Sequence, residues 1–226
     1  VTGPKARQLM QKVSRSDSSN ERFKWLSAQN INIGLAPCNA MRVNFVGELG
    51  WELHHPIEYQ NHIFDQLMEA GKEFGIKPYG IRAMNSLRVE KSYKLVGTEL
   101  SIEYSPYESG LDRFIHPNKG DFIGRAALDK WRAKGFSNKL VTMEIHGVTD
   151  ADVLGNNPIY DNGSVVGRAT SGDFGFRLNK SIALGMVKPE LAKVGQKLKI
   201  DILGKMHEAS IVEDSPYDAD NKLLRA

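Results

Sequence analysis

The sequence predicts an α+β protein whose last part is all-β, a small barrel or sandwich. Two patterns carry that prediction. As far as residue 135, segments with helical apolar spacing are interleaved with short strand-like runs. After Gly135 the helical period disappears, and short apolar runs separated by turn residues take over. This change of character divides the chain into 1–135 and 136–226.

The elements follow in order. Pro4 suits a first helical turn, and Ala6, Leu9, Met10 and Val13 share one face, so a helix is expected from Pro4 to Val13. The polar stretch SRSDSSNERF reads as a loop. Alternating apolar positions at Ile31 and Ile33, then Met41, Val43 and Phe45, predict two strands interrupted near Pro37. Gly47 and Gly50 turn the chain before WELHH resumes as a strand. A helix from Ile57 to Phe74 places Ile63, Leu67, Ala70 and Phe74 on one stripe, and Gly75 stops it. A second helix covers Ile81 to about Tyr93, with Glu90 and Lys91 inside it. Gly97 to His116 is irregular, and a helix spans Arg125 to Lys134. Beyond it KLVTMEIHG, NPIYDNGSVVGRATSG, SIALGMV, KLKIDIL and MHEASIVE read as strands, with a hairpin at Asp161-Asn162-Gly163.

The bulk composition narrows the function classes. The chain has 226 residues, 41% apolar and 25% charged, which is ordinary for a globular protein. A net charge of +3 without a run of like charges does not form a nucleic-acid footprint. No apolar run approaches the roughly 20 residues that span a membrane, and no signal peptide is visible. Cys38 is the single cysteine, expected as a small core residue, so no internal disulfide or cysteine-based metal site is available. The first residue is Val1, and the opening VTGPKARQLMQKVS reads as the middle of a domain.

No phosphate-cradling glycine loop is present, and GELG is not GxGxxG. His54 and His55 are adjacent and would point to opposite faces of a strand, which argues against joint metal ligation. Glu52 is the most informative residue of FVGELGWELHHP. It would share a face with His54 and Gly50, opposite Trp51, Leu53 and His55. If both faces were covered, its carboxylate would need partners: an internal arginine, or a ligand with paired N–H donors. The plain alternative is a solvated or structurally paired glutamate. Glu48 is expected to be exposed at the turn. Arg82 and Arg88 lie on one helix and point about 120° apart. Arg88 and Glu90 suit caps or surface pairs; the functional alternative is a buried arginine aimed at an acidic ligand group. Residues 168–187, RATSGDFGFRLNKSIALGMV, read as a hairpin followed by an apolar strand.

Taken together, RVNFVGELGWEL, GIRAMNSLRVEKSY, ESGLDRFIH, DFIGRAAL, GRATSG and SIALGMVKPE resemble, in this order, the folate-binding aminomethyltransferase family, that of the glycine-cleavage T-protein. The form GELGWEL, the SLRVEK helix and the closing SPYDADNKLLRA resemble the branch fused to dimethylglycine and sarcosine dehydrogenases. The resemblance implies part of a cloverleaf fold: a folate-binding α+β domain at 1–135 that lacks its N-terminal part, and a C-terminal antiparallel β-barrel at 136–226. It also implies that Glu52 accepts hydrogen bonds from the pterin ring of tetrahydrofolate. Phe45, Arg82, Arg88 and Arg113 would supply walls and tail contacts. Three departures stand out. Met84 occupies the place of a family arginine, Arg113 that of a common aromatic, and Gly175-Phe176 that of a common Ser-Pro. The family's catalytic aspartate belongs upstream of this chain, so no catalytic residue is identified within it.

The implied activity is one-carbon transfer in an oxidoreductase of the dimethylglycine or sarcosine dehydrogenase kind. The methyl-derived carbon would be captured as methylenetetrahydrofolate. FAD would be carried by an upstream domain or a companion chain, and neither nucleic acid nor membrane is an expected partner. The alternatives are the aminomethyltransferase of glycine cleavage and a non-catalytic folate-binding module. The compartment expected is the cytoplasm in a bacterium, or the mitochondrial matrix in a eukaryote.

Overall fold

The computed structural model describes residues 1–148 and 150–226. They form two compact units: Val1–Met84 with Asp218–Ala226, and Asn85–Tyr217.

In the first unit, α1 (Ala6–Val13) buries Ala6, Leu9, Met10 and Val13, the stripe expected from their spacing. Strands β1 (Ala28–Ile33), β2 (Ala36–Met41) and β3 (Glu52–His54) form an antiparallel sheet in that order. Ile31, Ile33, Ala36, Cys38 and Ala40 alternate inward, and Cys38 is a small core residue as expected. Helix α2 (Gln60–Gly71) continues the single turn Ile57–Tyr59 and runs into a last turn, Lys72–Phe74. Gly75, with a φ of 74°, stops it in the left-handed conformation that glycine adopts without strain. Ile63 is buried on α2, while Leu67, Ala70 and Phe74 are partly buried against the core around Trp51.

The break between the first two strands is at Gly34–Leu35, not at Pro37. Pro37 lies inside β2, opposite Asn32. Ile33 and Ala36 close the two-residue turn, so Asn32 and Pro37 make the next, non-hydrogen-bonded pair. The ring nitrogen therefore faces the edge of β2 that β3 does not reach, where no ladder donor is required. Val43 and Phe45 lie beyond the strand end. There Asn44 Oδ1 accepts the N–H groups of Val46 at 3.0 Å and Gly47 at 2.9 Å, an alternative to a strand ladder.

Helix α3 (Ile81–Val89) stops earlier than expected. Glu90, Lys91 and Ser92 form a turn in which the N–H groups of Lys91 and Tyr93 both donate to the Arg88 carbonyl, at 3.1 and 3.0 Å. In the second unit, α4 (Arg125–Lys134) matches its expected range. Six strands follow: β4 (Lys139–Ile145), β5 (Pro158–Asp161), β6 (Ser164–Gly175), β7 (Lys180–Val187), β8 (Lys197–Ile202) and β9 (Lys205–Val212). They close an antiparallel barrel in the order β4-β7-β6-β5-β8-β9, which resolves the choice between barrel and sandwich. Val141, Met143, Ile159, Ala183, Ile200 and Ile211 are among the residues that fill it. Asp161 pairs with Ser164 around Asn162-Gly163, both at positive φ, as a tight hairpin requires.

Composition changes at 135/136, whereas packing divides the chain at 84/85. The two borders record different things. Glu108 illustrates the second: its carboxylate accepts Ser105 N–H and Oγ–H at 2.9 Å and Asn138 N–H at 3.1 Å, and its carbonyl accepts Leu140 N–H at 2.8 Å. The irregular stretch is thereby bound to the first barrel strand.

Gly167 tests the tightness of the barrel wall. A Cβ there would lie 2.2 Å from the Met186 carbonyl oxygen, a backbone atom that cannot move alone. Gly167→Ala is expected to lower stability by about 1–3 kcal/mol, read from chemical denaturation, and an unchanged midpoint would refute this packing.

Candidate functional site

Strand β3 sets the geometry of the first unit's site. Trp51, just before it, is 1% exposed in the core, and strand alternation turns Glu52 and His54 to the other face. That face is open. The Glu52 side chain is 45% exposed, and His54 Nε2 lies 3.4 Å from its Oε2. Glu52 is therefore not a doubly covered, buried carboxylate but one whose remaining lone pairs face outward. A cleft of about 390 Å³ adjoins it, lined on one side by Glu52, Leu53, His54 and His55 and on the other by Gln60 and Phe64 of α2.

The other residues singled out in this unit lie elsewhere. Phe45 is half-buried in the Asn44 turn, and Arg82 is exposed on the first turn of α3; neither lines this cleft. Glu48 is half-buried rather than exposed, and its carbonyl accepts Asn44 Nδ2.

Arg88 and Arg113 belong to the second unit. Arg113 is exposed, with its guanidinium 4.7 Å from the centroid of the Phe114 ring. Arg88 is buried, neither a cap nor a surface pair. Its Nε and Nη2 donate to Asn85 Oδ1 at 3.0 and 2.8 Å, its Nη1 donates to the Tyr93 carbonyl at 2.9 Å, and Glu99 Oε2 stands 3.6 Å from Nη1. Burial pulls the Arg88 pKa down, and Glu99 and Asp173 oppose that pull. Glu99 is itself fully buried. Burial is the largest influence on its carboxyl and raises the pKa. Donors from Ser171 Oγ at 2.5 Å, Leu95 N–H at 2.8 Å and Thr98 Oγ1 at 2.7 Å outweigh it and hold the group below its ordinary value.

A second buried charge pair was not legible in the sequence. Glu90, expected at a cap or a surface pair, is 0% exposed. It accepts Arg177 N–H at 2.7 Å and Leu178 N–H at 3.2 Å, and it also accepts Arg177 Nε. The same guanidinium donates to the Leu87 carbonyl at 2.7 Å and lies 3.7 Å from the centroid of the Tyr217 ring. Tyr217 N–H returns to the Glu90 carbonyl at 3.0 Å. A Cβ on Gly175 would lie 2.7 Å from Glu90 Cγ, so glycine at this point of β6 makes room for the carboxylate. The signal was present only in pieces, as SLRVEK, GDFGFR and SPYD. Nothing local couples residues 87 positions apart.

Among the described residues, no group of three His, Cys, Asp or Glu side chains is placed to hold a metal ion, and no helix is long and apolar enough to cross a membrane.

Comparison with known proteins adds lineage. The GCVT N-terminal domain matches residues 1–119, and the glycine cleavage T-protein C-terminal barrel domain matches residues 138–218. The mitochondrial dimethylglycine dehydrogenase of Homo sapiens is 40% identical over 95% of this chain and 25% of that protein. The mitochondrial sarcosine dehydrogenase of Mus musculus is 34% identical over 100% of this chain and 25% of that protein. An aminomethyltransferase of Desulfitobacterium hafniense is 33% identical over 96% of this chain and 58% of that protein. The crystal structure of the glycine cleavage system aminomethyltransferase T from Bartonella henselae superposes with a TM-score of 0.81 at 20% identity, over 94% of this chain and 57% of that one, which shows a common fold. The chain thus spans a quarter of the length of the two dehydrogenases and somewhat over half that of the aminomethyltransferases.

The buried charges carry two expectations. Glu90→Gln removes the buried carboxylate that accepts Arg177 N–H, Leu178 N–H and Arg177 Nε and is expected to cost about 3–5 kcal/mol in denaturant unfolding; a loss below 1 kcal/mol would show that the pair is dispensable. The depressed Glu99 carboxyl contributes stability that is complete above the ordinary glutamate value of about 4.3 and is lost as pH falls below it toward the folded-state value. Thermal unfolding between pH 7 and pH 3 should therefore show a shallower acid limb in Glu99→Gln than in the wild type.

Proposed function

The chain belongs to the glycine-cleavage T-protein (aminomethyltransferase) family, and from that premise we propose that it is the tetrahydrofolate-binding one-carbon transfer domain of an enzyme of the dimethylglycine or sarcosine dehydrogenase kind. The observation that carries this reading is Glu52: a carboxylate kept half-exposed at the open face of β3 beside a cleft, with His54 Nε2 3.4 Å from it. The donor set fits the ligand. A pterin edge offers a ring N–H next to an amino group, and a carboxylate takes such a pair with two charge-assisted bonds. Tetrahydrofolate, when bound, supplies the nitrogens that take up the one-carbon unit.

The roles of this chain's residues follow. Glu52 holds and orients the pterin, and the cleft wall of β3 and α2 excludes water from one side of it. Phe45, Arg82 and Arg113 do not line the Glu52 cleft, and no ligand contact is assigned to them. Arg88, whose donors are engaged by Asn85 and Tyr93, acts by holding α3 in place rather than by reaching a ligand acid. Holding the folate close to the source of the carbon raises effective concentration, which is where such a domain gains its rate. No proton-transfer role is assigned to a residue of this chain. In this reading the first unit carries the pterin anchor, and β4 to β9 form the barrel of the second unit. The FAD-bearing domain lies upstream or on a companion chain. The compartment is the mitochondrial matrix in a eukaryote and the cytoplasm in a bacterium.

The 33% identity to an aminomethyltransferase supports a second reading, aminomethyl transfer in glycine cleavage. The 40% identity to dimethylglycine dehydrogenase favours the first. Turnover of dimethylglycine or sarcosine, against turnover of an aminomethyl-lipoyl carrier, separates them.

Glu52→Gln is expected to weaken tetrahydrofolate binding by about 1.5–3 kcal/mol, roughly ten- to a hundredfold in Kd, read by titration calorimetry on the full protein. Equal affinities in the two proteins would overturn the assignment.

A further inference from the structure

Trp51 and Arg42 stand at the end of the ladder that presents Glu52. The last registered pair between β2 and β3 is Met41 with Glu52, so Arg42 and Trp51 are one step beyond that ladder; on its other edge the Trp51 N–H donates to the Val1 carbonyl at 2.9 Å and its carbonyl accepts the Val1 amine at 3.0 Å. Both side chains are buried, Arg42 at 2% and Trp51 at 1% exposure. The indole Nε1 has no acceptor among the described residues. The ring is held instead by the edge of Phe23, at a centroid distance of 5.9 Å, and by two guanidinium groups, Arg7 at 5.5 Å and Arg42 at 5.8 Å.

Two arginines on one ring repel each other unless a shared acceptor lies between them. The C-terminal segment supplies it. Arg42 Nη2 donates to the carbonyls of Arg225 and Ala226, both at 3.1 Å, and Arg7 Nη2 donates to the same Ala226 oxygen at 2.5 Å. The remaining Arg42 terminal nitrogen donates to the Phe23 carbonyl at 2.7 Å. The segment itself is anchored. Leu224 is 5% exposed, Asp218 accepts the N–H groups of Lys222 and Leu223 at 2.8 and 3.1 Å, and the Arg225 guanidinium lies 4.3 Å from the centroid of the Trp25 ring.

We propose that Arg42 and the docked segment Asp218–Ala226 are positioning elements for Glu52: the carbonyls of Arg225 and Ala226 fix Arg7 and Arg42 on Trp51, and the fixed indole sets the strand end from which Glu52 reaches its ligand. This rests on the reading of Glu52 as the pterin anchor. Neither Arg42 nor the segment touches the ligand; they act through Trp51.

The test is tetrahydrofolate titration of the full protein in four variants: Glu52→Gln, Arg42→Met, Leu224→Asp and the double variant of Glu52→Gln with Arg42→Met. Leu224→Asp undocks the segment without altering the sheet, and it keeps the test open should Arg42→Met fail to fold. Arg42→Met and Leu224→Asp are each expected to raise Kd roughly tenfold or more, as a small misplacement of a binding group does. The double variant should bind no more weakly than Glu52→Gln alone, because residues acting through one group are not additive. Folded Arg42→Met or Leu224→Asp protein with wild-type affinity, or full additivity in the double variant, would overturn the proposal while leaving Glu52 as the anchor. Wild-type affinity in Glu52→Gln would overturn the anchor itself, and the proposal with it.

Discussion

Glu90 has no contact with water, and a large share of the second unit is arranged to keep its charge satisfied. A buried carboxylate without partners costs several kcal/mol. Here the backbone after β6 turns its N–H groups toward it, Arg177 brings the counter-charge, Tyr217 covers the guanidinium, and Gly175 leaves the side chain room. One charge thus ties together three stretches of sequence: the turn after α3, the hairpin between β6 and β7, and the segment beyond β9. Arg88 and Glu99 repeat the pattern nearby, with Ser171 of β6 and Leu95 as additional donors to the carboxylate. Such pairs define how the pieces meet rather than add net stability, because desolvation offsets much of the attraction.

The first unit handles its informative charge in the opposite way. Glu52 follows a buried tryptophan, yet its own face is left open, with His54 alongside. The contrast is chemically useful. A carboxylate already saturated by internal donors has little left for a ligand, whereas a half-exposed one at the edge of a cleft retains acceptor capacity. Under the proposed reading the two units divide the labour: buried carboxylates organise the fold, and the open one meets the folate.

Much of the architecture was legible locally. The apolar stripe of α1, the left-handed stop at Gly75, the range of α4 and the Asn162-Gly163 hairpin all matched, because each depends on spacing or on a backbone conformation that few residues tolerate. The misreadings have physical causes. Pro37 reads as a strand breaker only if its missing donor matters, and the register of β1 and β2 turns that nitrogen to an open edge. α3 stops at Val89 although its periodicity invites extension, because Glu90 is needed at a buried pair with Arg177.

The sequence alone determined the order and type of the elements, the inward faces of the helices and strands, and the family to which its motifs point. The elements and their inward faces are set by short-range periodicity and turn chemistry, whereas the family rests on the likeness of its motifs to known proteins. The tertiary structure alone decided which charges are buried and which stay open. Glu90 and Arg177 are 87 positions apart, and Arg42 meets Arg225 across 183. A strand pattern states which residues share a face but not whether that face is covered. That depends on what packs against it, which for Glu52 left the carboxylate exposed and for Glu90 left it sealed.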